Sequence, residues 1–175
     1  LTTVTKIAVT GPESTGKSLL CEQLADHYNT LYVPEYAREY VDCLDRPYRK
    51  EDILVIAREQ VAREARAEAS ANGFLFCDTE LIVARIWEKY KYGTCHPWIL
   101  RQIEQNRYGL YLLCDIDLPW DPDPQREYPH MRGFFFDWFR RELDGHAFPY
   151  RIISGNKQER LDNAIAAIDA FFNTG

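Results

Sequence analysis

The sequence predicts an α/β fold, a three-layer sandwich in which a five-stranded parallel sheet carries helices on both faces. Three observations lead there. Five short apolar runs rich in branched and aromatic residues recur along the chain, amphipathic helical patterns separate them, and a glycine loop joins the first run to the first helix. Each run is too short for a helix. Strands that alternate with helices pair in parallel through right-handed crossovers, and such sheets bind ligands beyond the carboxyl ends of their strands.

The predicted strands are residues 6–10, 31–33, 74–77, 110–114 and 150–153. The first helix shows Leu20, Leu24 and Tyr28 at helical spacing. A later one shows Leu54, Ala57, Val61 and Ala65, backed by Arg58, Glu59, Arg63, Glu64 and Arg66. In the last, Leu161, Ala164, Ile165, Ile168, Phe171 and Phe172 fall on one face. Residues 119–133 are rich in proline and charge and read as a lid segment.

Composition narrows the class. With 175 residues, 46% of them hydrophobic and 27% charged, a single domain spanning residues 1–175 is expected. The net charge of −6 and the lack of a basic run argue against a surface that tracks duplex nucleic acid, though a pocket for one nucleotide is compatible with both. No apolar run approaches the roughly 20 residues needed to span a bilayer, and residues 1–6 lack the charged and apolar regions of a signal peptide. A soluble, cytoplasmic protein is expected. Cys21, Cys43, Cys77, Cys95 and Cys114 form no CxxC pair and read as small core residues of a reducing compartment. His27, His96, His130 and His146 show no metal-ligand spacing and read as surface or structural histidines.

The loop after the first strand is Gly11-Pro12-Glu13-Ser14-Thr15-Gly16-Lys17-Ser18, which fits GxxxxGK[ST] at every fixed position and runs into a helix. This is the P-loop pattern. Gly11 and Gly16 permit backbone angles that a Cβ opposes, so that successive N–H groups, those of Glu13, Ser14 and Thr15 included, turn toward phosphate oxygens at a helix N-terminus. Lys17 is placed to reach the β- and γ-phosphates of ATP, and the Ser18 hydroxyl to ligate Mg²⁺. A plain strand-to-helix turn with a solvated lysine is the structural alternative.

The remaining candidates sit at the ends of later strands. Asp78 closes the run 74–77 as the expected Mg²⁺ or water anchor and, as an alternative to Glu35, as the group that orients the acceptor hydroxyl or serves as its base, while Thr79 and Glu80 fit either the site or a helix cap. Glu35 and Arg38 follow the second strand, with Glu35 as a hydrogen-bond acceptor or base for a substrate hydroxyl; a surface ion pair is the alternative. Arg126 and, less strongly, Arg132 suit a lid arginine that bridges phosphates, whereas Arg140 and Arg141 suit a solvated helix face. Ser154-Gly155-Asn156 leaves the fifth strand as a loop able to wrap an adenine, or as an ordinary turn.

In this order the motifs resemble the nicotinamide riboside kinase domain of the bacterial NadR proteins and their stand-alone P-loop relatives. The shared pieces are the P-loop, Glu35-Tyr36-Ala37-Arg38-Glu39-Tyr40, Gln60, Asp78-Thr79, Asp115-Ile116-Asp117 with Trp120, and Asp123 with Arg126. The resemblance spans nearly the whole chain, and its specificity comes from the order of several motifs. It implies ATP-dependent phosphorylation of the 5′-hydroxyl of nicotinamide riboside (NR) to nicotinamide mononucleotide in NAD salvage, with Glu35, Arg38 and Asp78 on the acceptor side. It also implies a kinase alone, without the adenylyltransferase domain or DNA-binding segment of longer members. Pro124 departs from the family pattern, which has glycine there, and bears on the lid geometry around Arg126. NR carries a pyridinium cation that an aromatic face favours, and Tyr36, Tyr40, Trp87, Trp98 and Trp120 are available, one or two of them for the ligand. A kinase of another nucleoside-like alcohol and a nucleotide-dependent regulatory ATPase are the other functions compatible with these residues.

Overall fold

A computed structural model describes residues 3–173; Leu1 and Thr2 of the N-terminal stretch lie outside the described residues. The strands are β1 (Thr5–Thr10), β2 (Leu31–Val33), β3 (Phe74–Asp78), β4 (Leu110–Cys114) and β5 (Tyr150–Ile153). The helices are α1 (Lys17–His27), α2 (Tyr36–Asp42), α3 (Lys50–Glu68), α4 (Leu81–Tyr92), α5 (Pro97–Gln105), α6 (Arg132–Gly145) and α7 (Lys157–Phe172). All strand pairs are parallel and the sheet order is β2-β3-β1-β4-β5. Five parallel strands with helices on both faces match the architecture expected from the sequence.

Strand periodicity divides the core. Ala8 of β1, Leu75 and Cys77 of β3 and Tyr111 and Leu113 of β4 point into a cluster with Ile53, Ala57, Ile82, Ile86, Ile99, Phe139 and Leu143, on the α3–α6 face. Ile7, Val9, Phe76, Leu110, Leu112 and Cys114 point the other way, onto Leu20 and Leu24 of α1 and Ala164 and Ile168 of α7. Strands covered on both faces need continuous apolar runs, which is why these segments show no polar alternation.

Three sequence expectations need adjustment. The lid segment is irregular through Met131, but Arg132 and Gly133 already belong to α6. The buried face of α3 is Asp52, Ile53, Ala57, Gln60 and Glu64, while Leu54 and Val61 are half-buried and Ala65 is exposed. A count of apolar residues rotates that helix slightly because its inner face is partly polar. Cys43 follows α2 and is exposed, Cys95 is half-buried, and only Cys21, Cys77 and Cys114 are small core residues. No described helix is long and apolar enough to cross a membrane.

The carboxyl edge of the sheet sets out the site. In register Val9 stands beside Asp78, and Val33 beside Cys77, so the loops leaving β1, β3 and β2 open at one edge with Gly11, Thr79 and Glu35 on them.

Candidate active site

The P-loop connects β1 to α1 with the backbone its glycines were expected to provide. Gly11 has φ +133°, and a Cβ there would stand 3.0 Å from the Cys114 carbonyl oxygen; Gly16 caps α1 at φ +76°. Ser14 also takes a positive φ of 59°. Without a capping side chain on Gly16 or an acid in the first turn, the orphan N–H groups of α1 are left for an anion. The Thr15 hydroxyl and the Lys17 ammonium both donate to the Pro12 carbonyl, at 2.8 and 2.6 Å, which stiffens the loop.

Asp78 lies beneath this loop, 2% exposed. The Ser18 hydroxyl donates to its Oδ2, while Oδ1 is buried and, among the described residues, has no hydrogen-bond partner. An orphaned carboxylate oxygen beside a hydroxyl is the hard oxygen set that Mg²⁺ takes, so the residues present fit that ion. Burial raises the Asp78 pKa, opposed by the Ser18 hydroxyl and the Lys17 charge. Thr79 follows at φ +67°, a strained angle for a β-branched residue, held by its N–H to the Val9 carbonyl at 2.9 Å. Glu80 resolves as a cap: its carboxylate accepts from Ile82 N at the start of α4 and from the Thr10 hydroxyl. Burial pushes it up to about 7.

Glu35 precedes α2 and faces the same space. Its carboxyl is pushed up to about 7, first by burial and then by the Asp78 charge, against the pull of Lys17 and Arg38. Arg38, with its side chain 46% exposed, pairs with Asp123 of the lid at 2.7 Å.

A cavity of about 610 Å³ runs from the P-loop between α2, α3, α4 and the lid. At the P-loop end it is lined by the whole loop from Gly11 to Ser18 with Glu35, Arg38 and Arg126. At the far end it is lined by Val41, Ile53, Ala57, Val83, Ala84 and Trp87. Trp87 is buttressed edge-on by Tyr128 and Phe135. Asp78 stays behind the lining and reaches the site through Ser18. Tyr36 and Trp120 do not line the cavity: Arg63 lies over the Tyr36 ring, and Arg132 over Trp120. Tyr40 donates to Asp52, and Trp98 lies under Arg58.

The lid is tied to the P-loop and to α2. Ser14 Oγ accepts from Asp121 N at 2.8 Å, and Glu13 accepts from Glu127 N at 3.2 Å. The Glu13 and Ser14 side chains therefore hold the lid. Gln125 donates to Asp42 on α2. Arg126 lines the cavity and pairs with Asp121. Arg132 donates to the carbonyls of Ser14 and Leu118, so it fastens α6 to the loop. Pro124 is accommodated as the second residue of a turn closed by Arg126 N to Asp123 O at 3.0 Å, a position that proline favours.

Gly155, at φ +100°, lies outside the cavity lining. Its N–H donates to Asp117, its carbonyl accepts from Arg160, and Arg160 also donates to the Ile153 carbonyl. Sequence reading missed Arg160 and gave Gln60 no role. Both are polar residues on buried helix faces, and only their spacing with Ala57, Ala164 and Ile168 hinted at that placement.

A family model described as an AAA domain matches residues 6–160. The trifunctional NAD biosynthesis/regulator protein NadR of Salmonella typhimurium is 31% identical over 129 residues, 70% of this chain but only 31% of that protein. A NadR protein solved in complex with NR superposes with a TM-score of 0.83 at 24% identity, over 99% of this chain and 52% of the other. A NadR structure with NAD and AMP-PNP gives 0.80 at 23% identity, over 99% and 51%. The chain therefore spans about a third of the curated relative and about half of the solved ones. Similarity at this level establishes the fold, and with residues 6–160 matched by the family model, the chain belongs to the AAA domain family.

Proposed function

We propose that this chain is an ATP-dependent kinase that transfers the γ-phosphoryl group to the 5′-hydroxyl of nicotinamide riboside, giving nicotinamide mononucleotide. The observation that carries the proposal is one cavity in which a P-loop and a carboxylate near neutrality meet an aromatic, apolar chamber. The NadR relatives were solved with NR and with an ATP analogue, which supports the same pair of substrates here. The reaction consumes ATP, so a cytoplasmic setting suits it.

In this reading the P-loop amides and Lys17 hold the triphosphate and stabilise charge on the transferred group. Ser18 and Asp78 would hold Mg²⁺, which neutralises phosphate charge when bound. Glu35 takes the hydroxyl proton, since a base works best with a pKa near the operating pH. Arg126 meets the phosphates from the lid, while Arg38 orients the acceptor side. Trp87 offers its face to the pyridinium ring.

The test is incubation of the purified protein with ATP, Mg²⁺ and NR, with nicotinamide mononucleotide read by chromatography. Lys17→Ala should lower kcat by about 100-fold or more at an unchanged melting temperature. Full turnover by Lys17→Ala, or no product from NR, overturns the proposal. ATP consumption stimulated only by another nucleoside would reassign the acceptor, and acceptor-independent hydrolysis would favour the regulatory ATPase.

A further inference from the structure

Gln60 lies on the inner face of α3, 5% exposed, in the wall of the cavity. Its Oε1 accepts from Tyr36 N at 2.9 Å. Tyr36 opens α2, which has no side-chain cap, so this bond serves one of that helix's orphan donors. The bond also fixes the amide: a backbone N–H must face an oxygen, so the amino end is the one turned away from it. That end, Nε2, is buried and has no hydrogen-bond partner among the described residues.

A buried amide donor without an acceptor is costly, and the cost is recovered where a ligand brings an oxygen. The position narrows which oxygen. Gln60 is bonded to the residue directly after Glu35, and Gln60 and Glu35 both line the cavity. A donor beside a carboxylate suits a hydroxyl group, which accepts from one and donates to the other. We propose that Gln60 is a specificity-determining residue whose Nε2 donates to a sugar hydroxyl oxygen of the acceptor, while Oε1 holds the Tyr36 N–H. The proposal rests on the kinase reading and assigns the sugar subsite within it.

Two variants separate this from a structural role. Gln60→Glu keeps an oxygen for Tyr36 N–H and loses the donor; Gln60→Met keeps the volume and loses both, which controls for the added charge. Each is assayed with nicotinamide riboside and with its 2′-deoxy and 3′-deoxy forms, alongside the wild type. Both variants should lower kcat/KM for the riboside about tenfold or more, chiefly through its KM, with the KM for ATP unchanged. One deoxy form should lose a similar factor with the wild type and lose nothing further with the variants, the non-additivity of two changes to one contact. Gln60→Glu behaving as wild type, or equal losses on the riboside and both deoxy forms, overturns the proposal. If the wild type phosphorylates a different nucleoside, the same cycle is run on that nucleoside and its deoxy forms. If it phosphorylates none, the kinase reading and this assignment both fall.

Discussion

Glu35 and Asp78 are two acids on one sheet edge, and their surroundings give them different work. Asp78 is fixed by the Ser18 hydroxyl, whereas Glu35 lines the cavity and is pushed up to about 7 by burial and by the Asp78 charge. Between its ordinary value of 4.5 and about 7, native Glu35 keeps a proton that the unfolded chain releases. The stability from that proton is fully present below about pH 4.5 and is lost as pH rises through about 7. Glu35→Gln should therefore melt higher than the wild type at about pH 8, by about 1–3 kcal/mol, with the difference fading by about pH 4. Melting temperatures across that range check it; a constant difference would show that Glu35 titrates normally. Lys17 and Ser18 were legible in the sequence because the P-loop pattern fixes their spacing, and Asp78 because it closes a buried apolar strand. Gln60 enters the sequence reading only as a shared piece of the family resemblance, since one amide on an apolar face carries no pattern that marks it as a donor.

At the scale of elements, the five strands were read to within a residue because burial on both faces leaves only apolar runs to recognise. The face of α3 was read slightly rotated because Asp52, Gln60 and Glu64 occupy inward positions where a hydrophobic count expects Leu and Val. The junction of β5 and α7 shows the same effect more sharply. Arg160, 3% exposed, ties the Ile153 and Gly155 carbonyls to Asp117, and Asp117 in turn accepts from Gly155 N. One guanidinium thus shapes a loop that the sequence offered as an adenine wrap or an ordinary turn, with no sign of the arginine. Arg160→Met should cost about 2–4 kcal/mol, since it leaves buried carbonyls without donors. Denaturant unfolding measures this, and a loss below about 0.5 kcal/mol would mean that water or backbone replaces the guanidinium.

For the molecule as a whole, β1 carries charge to both ends of the sheet and uses it differently at each. Lys17 follows its carboxyl end, where its neighbours are a backbone carbonyl and the cavity. Lys6 lies at its amino end, with its side chain 12% exposed, and pairs at 3.2 Å with Glu64, whose side chain is 1% exposed. Asn106 and Tyr108 complete that cluster, both donating to Glu64. A parallel sheet keeps ligands at the carboxyl edge, so a buried cation at the other edge has no phosphate to meet and serves the fold. The two lysines should separate cleanly under substitution. Lys6→Met strands a buried carboxylate and should lose about 3–5 kcal/mol of stability while leaving the KM for ATP unchanged in the folded protein. Lys17→Ala should do the reverse, keeping stability and losing turnover. Unfolding curves set beside single-turnover rates for both variants decide it. A Lys6→Met protein that melts normally but fails to turn over would mean that the amino edge of the sheet is coupled to the site, against the division of labour argued from the fold.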